Sequence, residues 1–277
     1  MTAVRAPASS ANLGAGFDVL AMALGVALEI GDGQPPERAR VIDEHHPTRR
    51  AFEGAGGDQR TLWIRGPVPM GRGMGFSGAA RVGGAALAVA LDRGGLDDVG
   101  RAAALDVAAD LEGHGDNAAA SVFGGIVAWT NGRALALPLG PRLGDAALVL
   151  WIPRSSTSTD RSRASLAPVV DRAAATANLA TLTQLIVALS RDDPALLVGA
   201  TADELHQPTR LADRPDSAAA LQAGIEAGAW CGWLSGSGPT IALWADSDVA
   251  DAVVTALPTG GTARQVAIDR RGVELVE

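Results

Sequence analysis

Between Pro69 and Ala79 the chain reads Pro-Met-Gly-Arg-Gly-Met-Gly-Phe-Ser-Gly-Ala, with glycine at every second position from Gly71 to Gly75. Glycine accepts positive φ and has no side chain to hold a ligand away, so such a run lets backbone N–H groups converge on an anion. A helix starting at its end adds the partial positive charge of its first turn. Phosphate could be cradled here without a lysine. The stretch is not a Walker A loop, which requires one. A plain glycine-rich turn between strand and helix would read the same way. Gly75-Phe76-Ser77-Gly78-Ala79 is also one residue away from the nucleophile elbow of serine hydrolases. That elbow should follow an apolar strand directly, where Gly71-Arg72-Gly73 stands, and its base would be His206, the only histidine after His114.

Other segments carry chemistry in short spans. Ala6 to Asp18 crowds Ser9, Ser10, Asn12, two glycines and Asp18 ahead of an apolar run, which suits hydrogen bonding to a small polar substrate or, equally, a capped turn. Glu112-Gly113-His114-Gly115-Asp116-Asn117 offers two carboxylates, an imidazole and an amide, able to hold Mg²⁺ and polar substrate groups, or else a solvated helix end. Ser235-Gly236-Ser237-Gly238-Pro239-Thr240 permits close backbone approach, or a tight hairpin. His45-His46 in a charged loop reads as solvated rather than as a metal site.

The elements that must position these residues follow from pattern. Val19–Ile30 reads as a strand or strand pair, Gly31–Gly57 as loop or edge hairpin, and Thr61–Arg65 as a short strand. A small-residue helix is predicted from about Ser77 to Leu91, stopped by Gly94-Gly95, and a second, capped by Asp97, to about Glu112. The Asn131-Gly132 pair marks a hairpin. Ala146–Ile152 is a buried strand opening the second half, followed by a Ser/Thr/Arg-rich loop. Helices are predicted near 172–189, 194–205 (Asp193 at the cap), 217–227 and 249–257, with a last strand near 265–268. Strands and helices mix in both halves, which predicts two α+β layers facing one cleft.

Composition sets the outer limits. The 277 residues are 47% hydrophobic and 19% charged, enough for a real core and room for two domains. A formal charge of −8 argues against nucleic acid or an anionic membrane as main partner. All 23 basic residues are arginine, so an anionic ligand must be held by arginine and backbone. Cys231 is the single cysteine, so an intramolecular disulfide is excluded. With no signal-peptide pattern at the start and no membrane-length apolar run, the expected location is cytoplasmic.

Taken in order, these segments resemble the GHMP kinase superfamily, and within it the homoserine kinase family. Asn12-Leu13-Gly14-x-Gly16-Phe17-Asp18 is similar to its first motif, Pro69–Ala79 to its second and Leu234–Thr240 to its third; Glu112–Asn117 also matches. Thr157–Arg163 resembles the substrate loop and Asp203–Arg210 the late His-x-Pro-x-Arg segment. The resemblance implies an α+β, two-domain fold. A ribosomal protein S5 domain 2-like N-terminal domain would span 1–144 and a ferredoxin-like C-terminal domain 145–277. It also implies ATP- and Mg²⁺-dependent phosphorylation of homoserine. Pro69, Gly71, Arg72, Gly73, Met74, Gly75, Ser77, Gly78 and Ala79 would surround the triphosphate, with Ser77 and Glu112 on Mg²⁺. Asn12, Asp18, His114, Asp116 and Asn117 would contact homoserine, Arg163 and Arg210 its carboxylate, and Thr159 would lie beside the γ-phosphate. Phosphoryl transfer needs alignment and charge neutralisation more than a strong base, so Asp116 positions the hydroxyl and no base is assigned. Phe76 stands where the family usually has a first serine, and the 19–68 stretch is short, without an evident amphipathic helix. Both departures keep two alternatives open: a kinase for another small alcohol, or a ligand-binding homologue without catalysis. The sequence leaves assembly open, a homodimer included.

Overall fold

The computed structural model describes residues 1–276 and contains two antiparallel sheets with helices packed on them. In the first sheet, β1 (Ala3–Ala11) pairs along β2 (Leu20–Asp32). The far edge of β2 is shared. Its C-terminal half pairs with β4 (Leu62–Arg65), itself flanked by the two-residue β3 (Arg40–Val41). Its N-terminal half pairs with β5 (Ile126–Thr130), which turns through Asn131-Gly132 into β6 (Arg133–Ala136). Both turn residues have positive φ, as the Asn-Gly signal requires.

Four helices cover this sheet: α1 (Pro47–Gly54), α2 (Phe76–Arg93), α3 (Asp98–Glu112) and α4 (Asp116–Phe123). α2 is the central one. Its small residues let it lie against β1 and against α1, and at Gly84 a Cβ would collide with the Thr48 carbonyl oxygen. Gly94 in the left-handed region ends it, and Asp97 caps α3 by accepting from Gly100 N at 2.8 Å, both as expected.

After the one-turn α5 (Pro141–Gly144), the second sheet is built from β7 (Ala147–Pro153), β8 (Cys231–Leu234), β9 (Ile241–Ala245) and β10 (Gly261–Val266) in the order β10-β7-β9-β8. That order, with helical crossovers between its first and second and its third and fourth strands, is the ferredoxin-like arrangement. Its helices are α6 (Thr159–Ala164), α7 (Arg172–Arg191), α8 (Gln207–Ala212), α9 (Pro215–Glu226) and α10 (Ala250–Ala256). A final strand, β11 (Glu274–Leu275), returns to the first sheet and pairs with β1.

Several expectations are corrected here. The segment read as loop or edge hairpin holds α1, whose Thr48, Ala51 and Phe52 are buried under α2; its polar composition hid an amphipathic turn too short to show a period. The helix expected over 194–205 is only a 3₁₀ turn, Pro194–Leu197. Asp193 caps it as expected, and Gly199 at φ 76° then turns the chain away. α4 and α6 lie in segments read as polar turns. The Ala6–Ala11 segment, read as loop, is the second half of β1. Among the described residues α7 alone is long and apolar enough to cross a membrane. It is docked on the protein, with Leu185, Ala188 and Leu189 buried in the core.

Candidate active site

The glycine loop enters α2 through Gly75, at φ 60°, where any Cβ would overlap Ser9 Oγ. No side chain caps the first turn of α2, so its N–H groups are open to an incoming anion. Neighbouring segments fix the loop from behind. Ser235 Oγ donates to the Gly73 carbonyl at 2.5 Å, Thr157 N to the Gly71 carbonyl at 2.8 Å and Ser9 N to the Met74 carbonyl at 3.3 Å. Arg72 donates to the Pro153 carbonyl at the end of β7 at 2.5 Å. The Ser235–Gly238 turn therefore ties the loop to β1, and Ser10 Oγ completes the tie by donating to Ser235 Oγ at 2.7 Å.

Beyond the loop, Asn12 and Asp18 sit at positive φ in the turn after β1, with Asn12 Oδ1 accepting from Asp18 N at 3.2 Å and Asn12 Nδ2 donating to the Gly236 carbonyl at 3.1 Å. Asp116 opens α4 and is buried. His114 Nδ1 donates to it at 2.9 Å, and that bond holds the imidazole above its ordinary pKa. Asn117 Oδ1 accepts from Ser9 Oγ at 2.7 Å. Thr159 is the first residue of α6, and Arg163, on its last turn, forms a two-point ion pair with Asp18.

Arg210, on α8, is the unusual charge. It is 2% exposed, yet among the described residues no carboxylate lies within ion-pairing distance of it. Nη1 donates to His206 Nδ1 and to the Gly236 carbonyl, both at 3.2 Å, Phe17 stacks on the guanidinium at 5.3 Å, and Nε is buried without a partner. Burial lowers its pKa to about 10, which leaves it charged at neutral pH. A buried cation without a counter-ion is costly, and an anionic ligand would relieve that cost.

Glu112, at the end of α3, presents one carboxylate oxygen to Arg81 at 3.1 Å while the other is buried without a partner. Burial pushes its pKa up; the Arg81 charge works against that shift. Ser77 Oγ accepts from the same Arg81 nitrogen. Hard oxygen donors and an orphaned carboxylate oxygen suit a hard divalent cation such as Mg²⁺.

These groups line one cleft of about 470 Å³, within the range that encloses a small-molecule ligand. Every residue given a ligand, metal or catalytic role from the sequence faces it except Pro69, which lies outside, and Ala79, which lies on the buried side of α2. The hydrolase alternative loses its base. His206 does not line the cleft, and its Nε2 donates to the Gly14 carbonyl at 3.1 Å. His46, read as solvated, caps α1 by accepting from Thr48 N. Phe76 is 8% exposed and meets the His46 ring edge-on at 6.1 Å. Phe17 and Ser235 stood inside segments read from the sequence but were given no role of their own. Arg81 was missed outright, although it stands four residues after Ser77 on a predicted helix and so shares its face.

The family descriptions "GHMP kinases N terminal domain" and "GHMP kinases C terminal" match residues 40–125 and 185–263. The chain is 36% identical to a homoserine kinase of Streptomyces coelicolor, over 99% of this chain and 94% of the relative. It is 38% identical to a homoserine kinase of Thermus thermophilus, over 91% and 89%. A crystal structure of homoserine kinase from Cytophaga hutchinsonii superposes with a TM-score of 0.81 at 22% identity, covering 99% of this chain and 97% of the other.

Proposed function

The chain belongs to the GHMP kinase family, and from that premise we propose that it transfers the γ-phosphoryl group of ATP to the side-chain hydroxyl of L-homoserine, giving O-phospho-L-homoserine on the route to threonine. The observation that carries the substrate assignment is Arg210, a buried guanidinium without a carboxylate partner, opening onto the same cleft as Asp18 and Arg163. An α-amino acid brings a carboxylate for the two arginines and an ammonium for Asp18. Bidentate arginine contacts would hold the carboxylate in one orientation.

The remaining groups then have roles. The first-turn N–H groups of α2 and the 71–75 backbone hold the triphosphate. Asn12, His114 and Asn117 fix the amino-acid backbone. Asp116 accepts from the substrate hydroxyl and points its oxygen at the γ-phosphorus, with Thr159 alongside. Ser77 and Glu112 are the ligands for Mg²⁺, which when bound neutralises charge on the phosphates. Alignment and neutralisation are what a loose phosphoryl-transfer transition state requires. Residues 1–144 then supply the nucleotide loop, the metal ligands and the polar contacts to the acceptor, and 145–277 add Thr159 and the two arginines, in a cytoplasmic enzyme.

The test is coupled ADP release measured with homoserine, mevalonate, shikimate and free sugars as acceptors. Homoserine should be preferred by orders of magnitude. Equal rates with a neutral alcohol would remove the amino-acid assignment, and no release above the ATPase background with any acceptor would favour a binding protein.

A further inference from the structure

Arg81 has no part in the reaction as described, yet it stands where a cation is wanted. It leaves the same face of α2 as Ser77, one turn later, and reaches the end of α3. One nitrogen, Nη1, donates both to Ser77 Oγ and to Glu112 Oε1, the latter at 3.1 Å. These are the two side chains assigned to the metal, and Glu112 Oε2 stays buried without a partner beside them. Mg²⁺ approaches oxygen ligands to about 2.0–2.1 Å. Glu112 Oε2 is open to it, but a metal shared by Glu112 and Ser77 Oγ would stand against the guanidinium that both side chains already hold, and the two cations repel.

We infer that Arg81 is a built-in competitor for the metal position: it occupies Ser77 Oγ and neutralises Glu112 in the free enzyme, and yields them only when polyphosphate and metal arrive together. Arg81 itself lines the cleft beside Ser77 and Gly78, so the incoming phosphates give the displaced guanidinium a new partner. Metal entry is thereby coupled to nucleotide entry, and a divalent ion alone does not settle at Glu112. The inference rests on the reading of Ser77 and Glu112 as metal ligands.

Mn²⁺ binding to the full chain, followed by electron paramagnetic resonance with and without ADP and corrected for Mn·ADP in solution, tests it. Wild type should bind Mn²⁺ poorly alone and much more tightly with ADP. Arg81→Gln should bind Mn²⁺ alone on the order of tenfold more tightly than wild type, with a smaller gain from ADP, because the competing charge is gone. Arg81→Met keeps the apolar stem and should behave likewise, which guards against a misfolded glutamine variant. Unchanged or weaker Mn²⁺ affinity in folded, nucleotide-free Arg81 variants overturns the inference. A further Glu112→Ala change should abolish the tightened site in either variant. If the site survives that change undiminished, the ligand reading is what fails. If Glu112→Ala weakens Mn·ADP binding while the Arg81 variants match wild type, the ligand reading stands and the competition does not.

Discussion

The guanidinium of Arg163 and the carboxylate of Asp18 face each other across the cleft in a two-point ion pair, Nη1 to Oδ2 at 2.8 Å and Nη2 to Oδ1 at 2.7 Å. The pair raises the arginine pKa, keeping it charged throughout the working range. Both side chains are about one-third exposed, 37% and 34%, so the pair adds little to stability, about 1 kcal/mol or less. Its geometry suits an exchange instead. A zwitterionic substrate offers an ammonium to one partner and a carboxylate to the other, replacing one internal pair with two external ones.

Arg163→Ala should therefore lower kcat/KM for homoserine by roughly 30- to 1000-fold, the loss of a charge-assisted contact in a closed cleft. The KM for ATP should barely move, and thermal stability should fall only slightly. An acceptor lacking the carboxylate, 3-aminopropanol, should be poor with wild type and no worse with the variant. Near-normal kcat/KM with homoserine would remove Arg163 from the substrate site.

Glu112→Gln keeps the shape of the side chain and removes its charge. If the carboxylate helps hold Mg²⁺, turnover should drop roughly 10²- to 10³-fold and half-saturating Mg²⁺ should rise. Wild-type turnover should cease in excess EDTA. Persistence of either activity at the wild-type level counts against a metal at this position.

Much of this site was legible because each contributing segment is local: the alternating glycines, the Glu112–Asn117 run and the Ser235–Gly238 turn can each be read in a few residues. What joins them was not. The Ser10–Ser235–Gly73 tie connects three segments far apart in sequence, and no local signal says that a serine in the first strand will meet one more than two hundred residues later. The fold shows the same division. Caps such as Asp97 and the Asn131-Gly132 turn act within four residues and were read correctly. α1 was missed because it forms through tertiary contact: Ala51 and Phe52 are buried by α2, and only the finished packing selects helix over loop there.

That packing bears on Phe76. The ring stands at the start of α2 against His46, in the core, while also bordering the cleft. Phe76→Ser should act mainly through packing. It should lower the melting temperature by roughly 5–10 °C, as expected for removing most of a buried aromatic in a chain of this size, and change the KM for ATP less than about threefold. A large drop in that KM without loss of melting temperature would instead identify Phe76 as an obstruction in the phosphate site.

The last prediction concerns how Arg210 is kept in place. His206 is fully buried, and its two nitrogens have opposite duties: Nε2 donates to the Gly14 carbonyl at 3.1 Å and Nδ1 accepts from Arg210 at 3.2 Å. Only the neutral imidazole can do both. Burial lowers its pKa most, opposed by Asp203, whose carboxylate lies 3.6 Å from Nε2, and reinforced by Arg210 itself. A histidine with a depressed folded pKa contributes stability that is present above its unfolded value, near 6.5, and is lost as pH falls through the folded value. Protonation would also turn Nδ1 into a donor aimed at a guanidinium and push Arg210 from its position. So kcat/KM for homoserine should fall on the acid side more steeply than kcat/KM for 3-aminopropanol, which needs no carboxylate contact. In His206→Gln, whose amide does not titrate, that extra acid limb should vanish from the homoserine profile, and the melting temperature should depend less on pH below about 6. Identical acid limbs for the two acceptors, or an unchanged limb in the glutamine variant, would mean that His206 does not position Arg210.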